Sequence, residues 1–339
     1  MLSVAPNPDL PPRRTAMNEL QLSLAISDYD HTHDLTRGLI APDGIRLIAL
    51  QLEIEEIFHR FTRYREWDVS EMSFGKYSSM RSQGDDSLVA IPVFPSRVFR
   101  LSSIYVRRDS TLKSLDQLRG ARVGIPEWAQ TAAIYSRGYL AHHAALRLEE
   151  IRWFQAGVNQ PGRAEKVALR LPQGLQLTPA PDRSLNAMLL AGELDAVMSA
   201  HPPRGFDDGS GDVIRLLSDF TRLEQQYWRT TGVFPIMHVI ALKAEIVRDH
   251  RWAARSLYDA FEVAKQRSLE RLRNADWSPL PIVNSADAMA ASGSLFGSNY
   301  WPYGVEPNRT TLETFLRYAY EQGTCHRLLR PEEIFIGPE

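Results

Sequence analysis

The sequence predicts an α/β protein folded as two lobes, with a ligand cleft between them and two crossing strands joining them. Three observations predict it. Short β-rich runs alternate with helical patterns along the chain, the mark of parallel α/β units. At 339 residues the chain has length for two domains. Two β-like runs, near residues 103–109 and 233–242, lie where the chain is expected to leave one lobe and return to it. The division this implies is a disordered leader at 1–19, a discontinuous lobe 1 at 20–106 and 241–339, and lobe 2 at 107–240.

Residues 20–27 read as the first strand. A strand at 45–52, a helix at 53–64, a strand at 67–73, a helix at 77–82 and a buried strand at 88–94 complete this part of lobe 1. After the β-run at 103–107, Ser114-Leu115-Asp116-Gln117-Leu118-Arg119-Gly120 reads as a short capped helix entering a strand at 121–125. Lobe 2 continues with a helix at 130–144, a strand at 151–154, a helix at 184–191 and a strand at 195–199. Beyond the returning run come an amphipathic helix at 253–272 and a helix at 310–322, separated by a Gly/Asn/Pro/Trp-rich loop at 297–307.

Composition narrows the function classes. With 44% hydrophobic and 24% charged residues and a net charge of -2, the chain is an ordinary globular protein without the basic stripe that nucleic acid requires. Cys325, the single cysteine, can form neither an internal disulfide nor a thiolate metal site. The first residues carry Pro6, Pro8, Pro11, Pro12, Arg13 and Arg14 and lack the apolar core of an export signal. Residues 20–26 are too few to span a bilayer, so the expectation is a cytoplasmic protein with no membrane partner. GxGxxG, GxxxxGK[ST] and HExxH are absent, and no nucleotide cofactor is expected.

Titratable side chains collect at strand ends, where open α/β sheets hold ligands. Asp28, Tyr29, Asp30, His31, Thr32 and His33 follow the first strand. A turn and helix cap account for Asp30 and Thr32, whereas imidazoles exchange protons near neutral pH. The strand at 88–94 runs into Pro95, Ser96, Arg97 and Arg100. Each arginine can grip a carboxylate through two parallel hydrogen bonds, with Ser96 as a further donor; the structural alternative is one surface and one ion-paired arginine. Glu71 and Ser73 end the strand at 67–73, Glu127 and Trp128 follow Val123-Gly124-Ile125, and His201 follows Ser199. His238 lies in the returning run, where a core role competes with a chemical one. Asp28, His31, His201, His238 and Glu71 contain donors for a two-histidine, one-carboxylate site but lack fixed spacing. No metal ligands are assigned, and a divalent metal stays open.

At these residues the sequence resembles the 4,5-dihydroxyphthalate decarboxylase family. The resemblance rests on Tyr29-Asp30-His31-Thr32, Asp68-Val69-Ser70-Glu71 and the segment from Pro92 to Arg100. It continues through Leu118-Arg119-Gly120, Val123-Gly124-Ile125-Pro126, Thr131-Ala132, Arg137-Gly138, Gly192-Glu193-Leu194-Asp195-Ala196 and the run from Thr231 to His238. Leu101 departs from it, standing where many members carry histidine. The resemblance implies a type II periplasmic-binding-protein-like fold and a carboxy-lyase that converts 4,5-dihydroxyphthalate to 3,4-dihydroxybenzoate. On that reading His31, His238 and Glu71 are catalytic, Arg97 and Arg100 anchor carboxylates, and Trp128 stacks on the ring. Asp28, Tyr29, Ser73, Ser96, Glu127, Thr131 and His201 complete the substrate wall. The partner is then a small aromatic carboxylate, with a homo-oligomer left open. The competing reading is a non-catalytic solute-binding protein for an aromatic carboxylate.

Overall fold

The computed structural model describes residues 19–207, 209–273 and 285–337; the expected leader, apart from residue 19, lies outside them. Strands are numbered β1 (Leu20–Ile26), β2 (Ile45–Gln51), β3 (Val69–Ser73), β4 (Leu88–Ile91), β5 (Ile104–Arg107) and β6 (Arg122–Ile125). They continue as β7 (Arg152–Gly157), β8 (Gln176–Ser184), β9 (Ala196–Met198), β10 (Val213–Arg215) and β11 (His238–Lys243). Among the described residues they build a five-stranded sheet, ordered β2-β1-β3-β11-β4, and a six-stranded sheet, ordered β10-β5-β9-β6-β7-β8.

In the first sheet β2, β1 and β3 run parallel, while β11 enters antiparallel between β3 and β4. In the second, β6 to β9 are parallel and β5 is antiparallel to both its neighbours. The chain therefore changes sheet between Ile91 and Ile104 and returns between Arg215 and His238. The expected divisions at 106/107 and 240/241 fall inside β5 and β11. Apolarity shows that a strand is buried, but its pairing decides which sheet it joins. The two links run side by side: Arg97 bridges Ile236, the Val98 N–H donates to the Pro235 carbonyl, and the Met237 N–H donates to the Ser96 carbonyl.

Helix Ile54–Tyr64 shows how pattern becomes packing. Ile57 and Phe61, one turn apart, are buried, while Glu55, Glu56 and Arg63 face outward. Helix Thr131–His143 joins the lobes, since Ala132, Ile134 and Tyr135 pack in the lobe 1 core and Leu140 in that of lobe 2. The C-terminal helix Arg309–Glu321 closes over it with Leu312, Phe315 and Leu316. Strand β8 and helix Ser285–Phe296 carry no strong sequence signal, whereas helix Phe220–Thr231, absent from the expected elements, is amphipathic and ends at left-handed Gly232. Strand β8 is mostly exposed and contains Pro179 and Pro181, which suit an edge strand and not a buried run. No helix among the described residues is long and apolar enough to cross a membrane.

Candidate active site

The pleat of β3 sets the first half of the site. Ser73 lies opposite His238 and Glu71 opposite Ile240 in the antiparallel ladder. Side chains two apart share a face, so Glu71, Ser73 and His238 project together. Buried Glu71 takes the His238 Nδ1 at 2.6 Å on its Oε1. The chain leaving strand β1, which runs parallel to β3, supplies the other contacts: the Tyr29 hydroxyl donates to the same oxygen at 2.5 Å, and the Ser27 N–H donates to Oε2 at 2.9 Å. Burial, with the Glu71 charge, raises the Tyr29 hydroxyl far above its ordinary range, so it remains a donor. Held at Nδ1, the His238 ring lies edge-on to Phe58, 4.9 Å between centroids, and lines a cavity of about 300 Å³ between the lobes.

The remaining wall is cationic. Arg100, Lys76, Arg163 and Lys166 line the cavity with Glu127 and Glu55. Fully buried Glu127 receives Lys76 Nζ at 2.8 Å, Arg163 Nε at 2.7 Å and Lys166 Nζ at 3.4 Å. Burial acts to raise its carboxyl, yet the three cations together hold it below the usual glutamate value. Burial in turn lowers the Lys76 ammonium, against the pull of Glu127. Arg100 differs from the other three. Burial pushes its guanidinium down to about 10, still charged at neutral pH, and its Nε meets only the Met237 sulfur at 3.4 Å. Among the described residues no carboxylate lies within ion-pair distance of it.

Thr131 ties the lobes at the cavity floor. Its hydroxyl lies 3.0 Å from the Ser73 hydroxyl and accepts the Gly75 N–H at 2.9 Å. Gly75 is needed there, because a Cβ would stand 2.6 Å from the Ala129 carbonyl oxygen. His201 stands at the exposed mouth, 3.6 Å from Glu55.

Ser73, Arg100, Glu127, Thr131, His201 and His238 thus share one cavity, with Glu71 and Tyr29 directly behind His238. Ser96 lies behind them too, against the Tyr29 hydroxyl. Four expected residues are elsewhere. Asp28 is bonded to His33 and Gln51 on the outer edge of the sheet. The His31 ring sits between Tyr29 and Trp301, 5.4 Å from each centroid, outside the cavity lining. Burial outweighs the nearby Glu71 and Asp30 charges and pushes its imidazole down to about 4, which favours the neutral ring near pH 7. Arg97 is buried on the far side, bonded to Asn308 Oδ1 and to the Pro302 and Phe234 carbonyls; it fastens the loops instead of facing a ligand. Trp128 is wholly buried. Its N–H donates to the Gln322 carbonyl, the Arg137 guanidinium covers one face at 3.7 Å, and Trp153 meets it edge-on, which leaves no face for a substrate ring. Asp28, His31, His201, His238 and Glu71 do not converge as a ligand set, and among the described residues no three His, Cys, Asp or Glu side chains gather to hold a metal ion.

Sequence reading passed over Lys76, Arg163, Lys166, Glu55 and Phe58. Lys76 had a usable signal, since helix Phe74–Ser82 starts at the end of β3 and carries it to the cleft in its first turn. Arg163 and Lys166 occupy an irregular stretch between β7 and β8 that has no periodicity to place them.

The chain is 33% identical over 320 residues to a 4,5-dihydroxyphthalate decarboxylase of Comamonas testosteroni, an alignment covering 94% of this chain and 97% of the relative. It is 37% identical over 204 residues to a 4,5-dihydroxyphthalate decarboxylase of Pseudomonas putida, covering 60% of this chain and 79% of that one. No family model matches the chain. Among solved structures, the periplasmic aliphatic sulphonate binding protein SsuA of Escherichia coli superposes with a TM-score of 0.54 at 15% identity, covering 96% of this chain and 94% of that one. That likeness shows the fold alone, the two-lobed type II architecture of periplasmic binding proteins.

Proposed function

The chain belongs to the 4,5-dihydroxyphthalate decarboxylase family, and from this premise we propose that its cleft converts 4,5-dihydroxyphthalate to 3,4-dihydroxybenzoate and carbon dioxide. One observation carries the reading from family to site. The described residues of the cavity set four cations, Lys76, Arg100, Arg163 and Lys166, against two carboxylates, Glu55 and Glu127. The excess of two positive charges complements a phthalate dianion.

The chemistry is proton transfer at carbon. A hydroxyl para to a carboxylate feeds electron density to the ring carbon bearing it. That carbon accepts a proton, the bond to the carboxylate breaks, and its electron pair returns to the ring as carbon dioxide leaves. Arg100 is the natural anchor for the carboxylate that stays, because among the described residues no carboxylate is ion-paired with it, Glu224 acting on it only from a longer range. His238 suits the proton transfer: Glu71 holds Nδ1 at 2.6 Å and fixes the ring, which leaves Nε2 for the ligand. Tyr29 and the Ser27 N–H in turn fix Glu71, so the pair enters the reaction already oriented. We assign the reaction to the cytoplasm, an assignment that cell fractionation tests and recovery in the periplasm contradicts.

Replacing His238 is the direct test of the role. His238→Gln is expected to bind phthalate and to lower kcat by about a hundredfold or more, the ordinary scale of general acid–base assistance. Full turnover by this variant removes His238 from the mechanism.

A further inference from the structure

The mouth of the cleft already holds an anion of the protein's own. Glu55 projects from helix Ile54–Tyr64 of lobe 1 and receives Arg163 Nη1 of lobe 2 at 2.9 Å. His201 Nε2, also of lobe 2, lies 3.6 Å from the same oxygen. Arg163 uses its Nε for Glu127, 2.7 Å away, so its outer edge is the part given to Glu55. The Glu55 side chain is 56% exposed while that of Arg163 is 23% exposed, which makes Glu55 the partner that can swing away. Glu55, Arg163, Lys166 and His201 line both the inner cavity and an outer vestibule of about 830 Å³. A ligand entering from solvent passes between them.

We propose that Glu55 is a resident counter-ion that the second carboxylate of a dianionic ligand displaces from Arg163, which makes Glu55 a specificity residue for dicarboxylates. The inference rests on reading the cleft as an aromatic-dicarboxylate site. One carboxylate takes Arg100, which has no ion-pair partner among the described residues; only the other has to compete with Glu55. A monocarboxylate satisfies Arg100 alone and leaves the Glu55–Arg163 pair intact. Breaking a partly exposed ion pair costs a ligand up to about fivefold in affinity, and removing Glu55 returns that factor to dianions and not to monoanions.

Calorimetry with phthalate and benzoate, on the wild type, Glu55→Gln and Glu55→Asp, separates the cases without relying on turnover. Glu55→Gln is expected to tighten phthalate by about fivefold, to leave benzoate within about twofold, and to lower KM for the dihydroxylated substrate in parallel with the phthalate change. Glu55→Asp, which keeps the charge, is expected to return phthalate toward the wild-type value. An unchanged phthalate affinity in Glu55→Gln, or an equal gain for benzoate, overturns the proposal. Wild-type protein that shows this binding pattern yet releases no carbon dioxide from 4,5-dihydroxyphthalate contradicts the decarboxylase reading and leaves the role of Glu55 standing. A wild type that binds no phthalate overturns the proposal for Glu55, and carbon dioxide release from 4,5-dihydroxyphthalate then decides the decarboxylase reading by itself.

Discussion

Arg97 and Arg100 stand three residues apart and have different fates. The Arg97 guanidinium is spent on Asn308 and two carbonyls and covered by Phe94 and Phe234, whereas Arg100 reaches the cavity with no ion-pair partner among the described residues. Arg100→Met is expected to raise KM by about tenfold or more, the loss of a charge-assisted hydrogen bond of roughly 1.5–3 kcal/mol, with the unfolding midpoint little changed. Arg97→Met is expected to do the reverse, since it strands buried acceptors at about 1–3 kcal/mol each. Steady-state kinetics beside denaturant titration checks both. A KM defect in Arg97→Met with intact stability contradicts the assignment. Sequence marks both arginines as carboxylate ligands because residue type and strand-end position are all it shows. Which one turns inward depends on Asn308, more than two hundred positions away. The same limit explains Trp128, whose ring is claimed by Arg137 and Trp153, and His31, whose burial no local pattern reveals.

Strand β3 carries more of the site than any other element. All five of its residues are buried, and its two neighbours bring Tyr29 and His238 to Glu71 from opposite sides. Position at the strand end made Glu71 and Ser73 legible as candidates, whereas the antiparallel arrival of β11 beside them is a tertiary event. Helix Phe74–Ser82 continues without a loop and delivers Lys76 to Glu127. The strand-to-helix turn presses its backbone against lobe 2 at Gly75, where a methyl group would lie 2.6 Å from the Ala129 oxygen. Gly75→Ala is accordingly expected to lower the thermal midpoint by several degrees and to raise KM, because strand end and lobe 2 loop have to part before substrate is held. An overpacked site of this kind costs about 1–3 kcal/mol. Wild-type KM in a Gly75→Ala variant with a lowered midpoint would mean that the contact serves folding alone.

At the scale of the molecule, alternating β and α patterns, chain length and two β-like crossing runs were enough to read an α/β protein in two lobes, with central strands such as β11 showing as continuous apolar runs because both their faces are covered. The exposed edge strand β8, with its two prolines, and the irregular chain before it were not legible, and Arg163 and Lys166 were lost with them. What the two lobes achieve together is a cleft lined by four cations and two carboxylates, with His238 held at its Nδ1 by Glu71. The most direct test is to incubate the wild-type protein with 4,5-dihydroxyphthalate in deuterium oxide and to measure carbon dioxide and the aromatic product together. Equimolar carbon dioxide and 3,4-dihydroxybenzoate, with one deuterium on the ring carbon that lost its carboxylate, is the predicted result. Dihydroxyphthalate that binds and is recovered unchanged would contradict the account and leave a cleft that only holds its ligand.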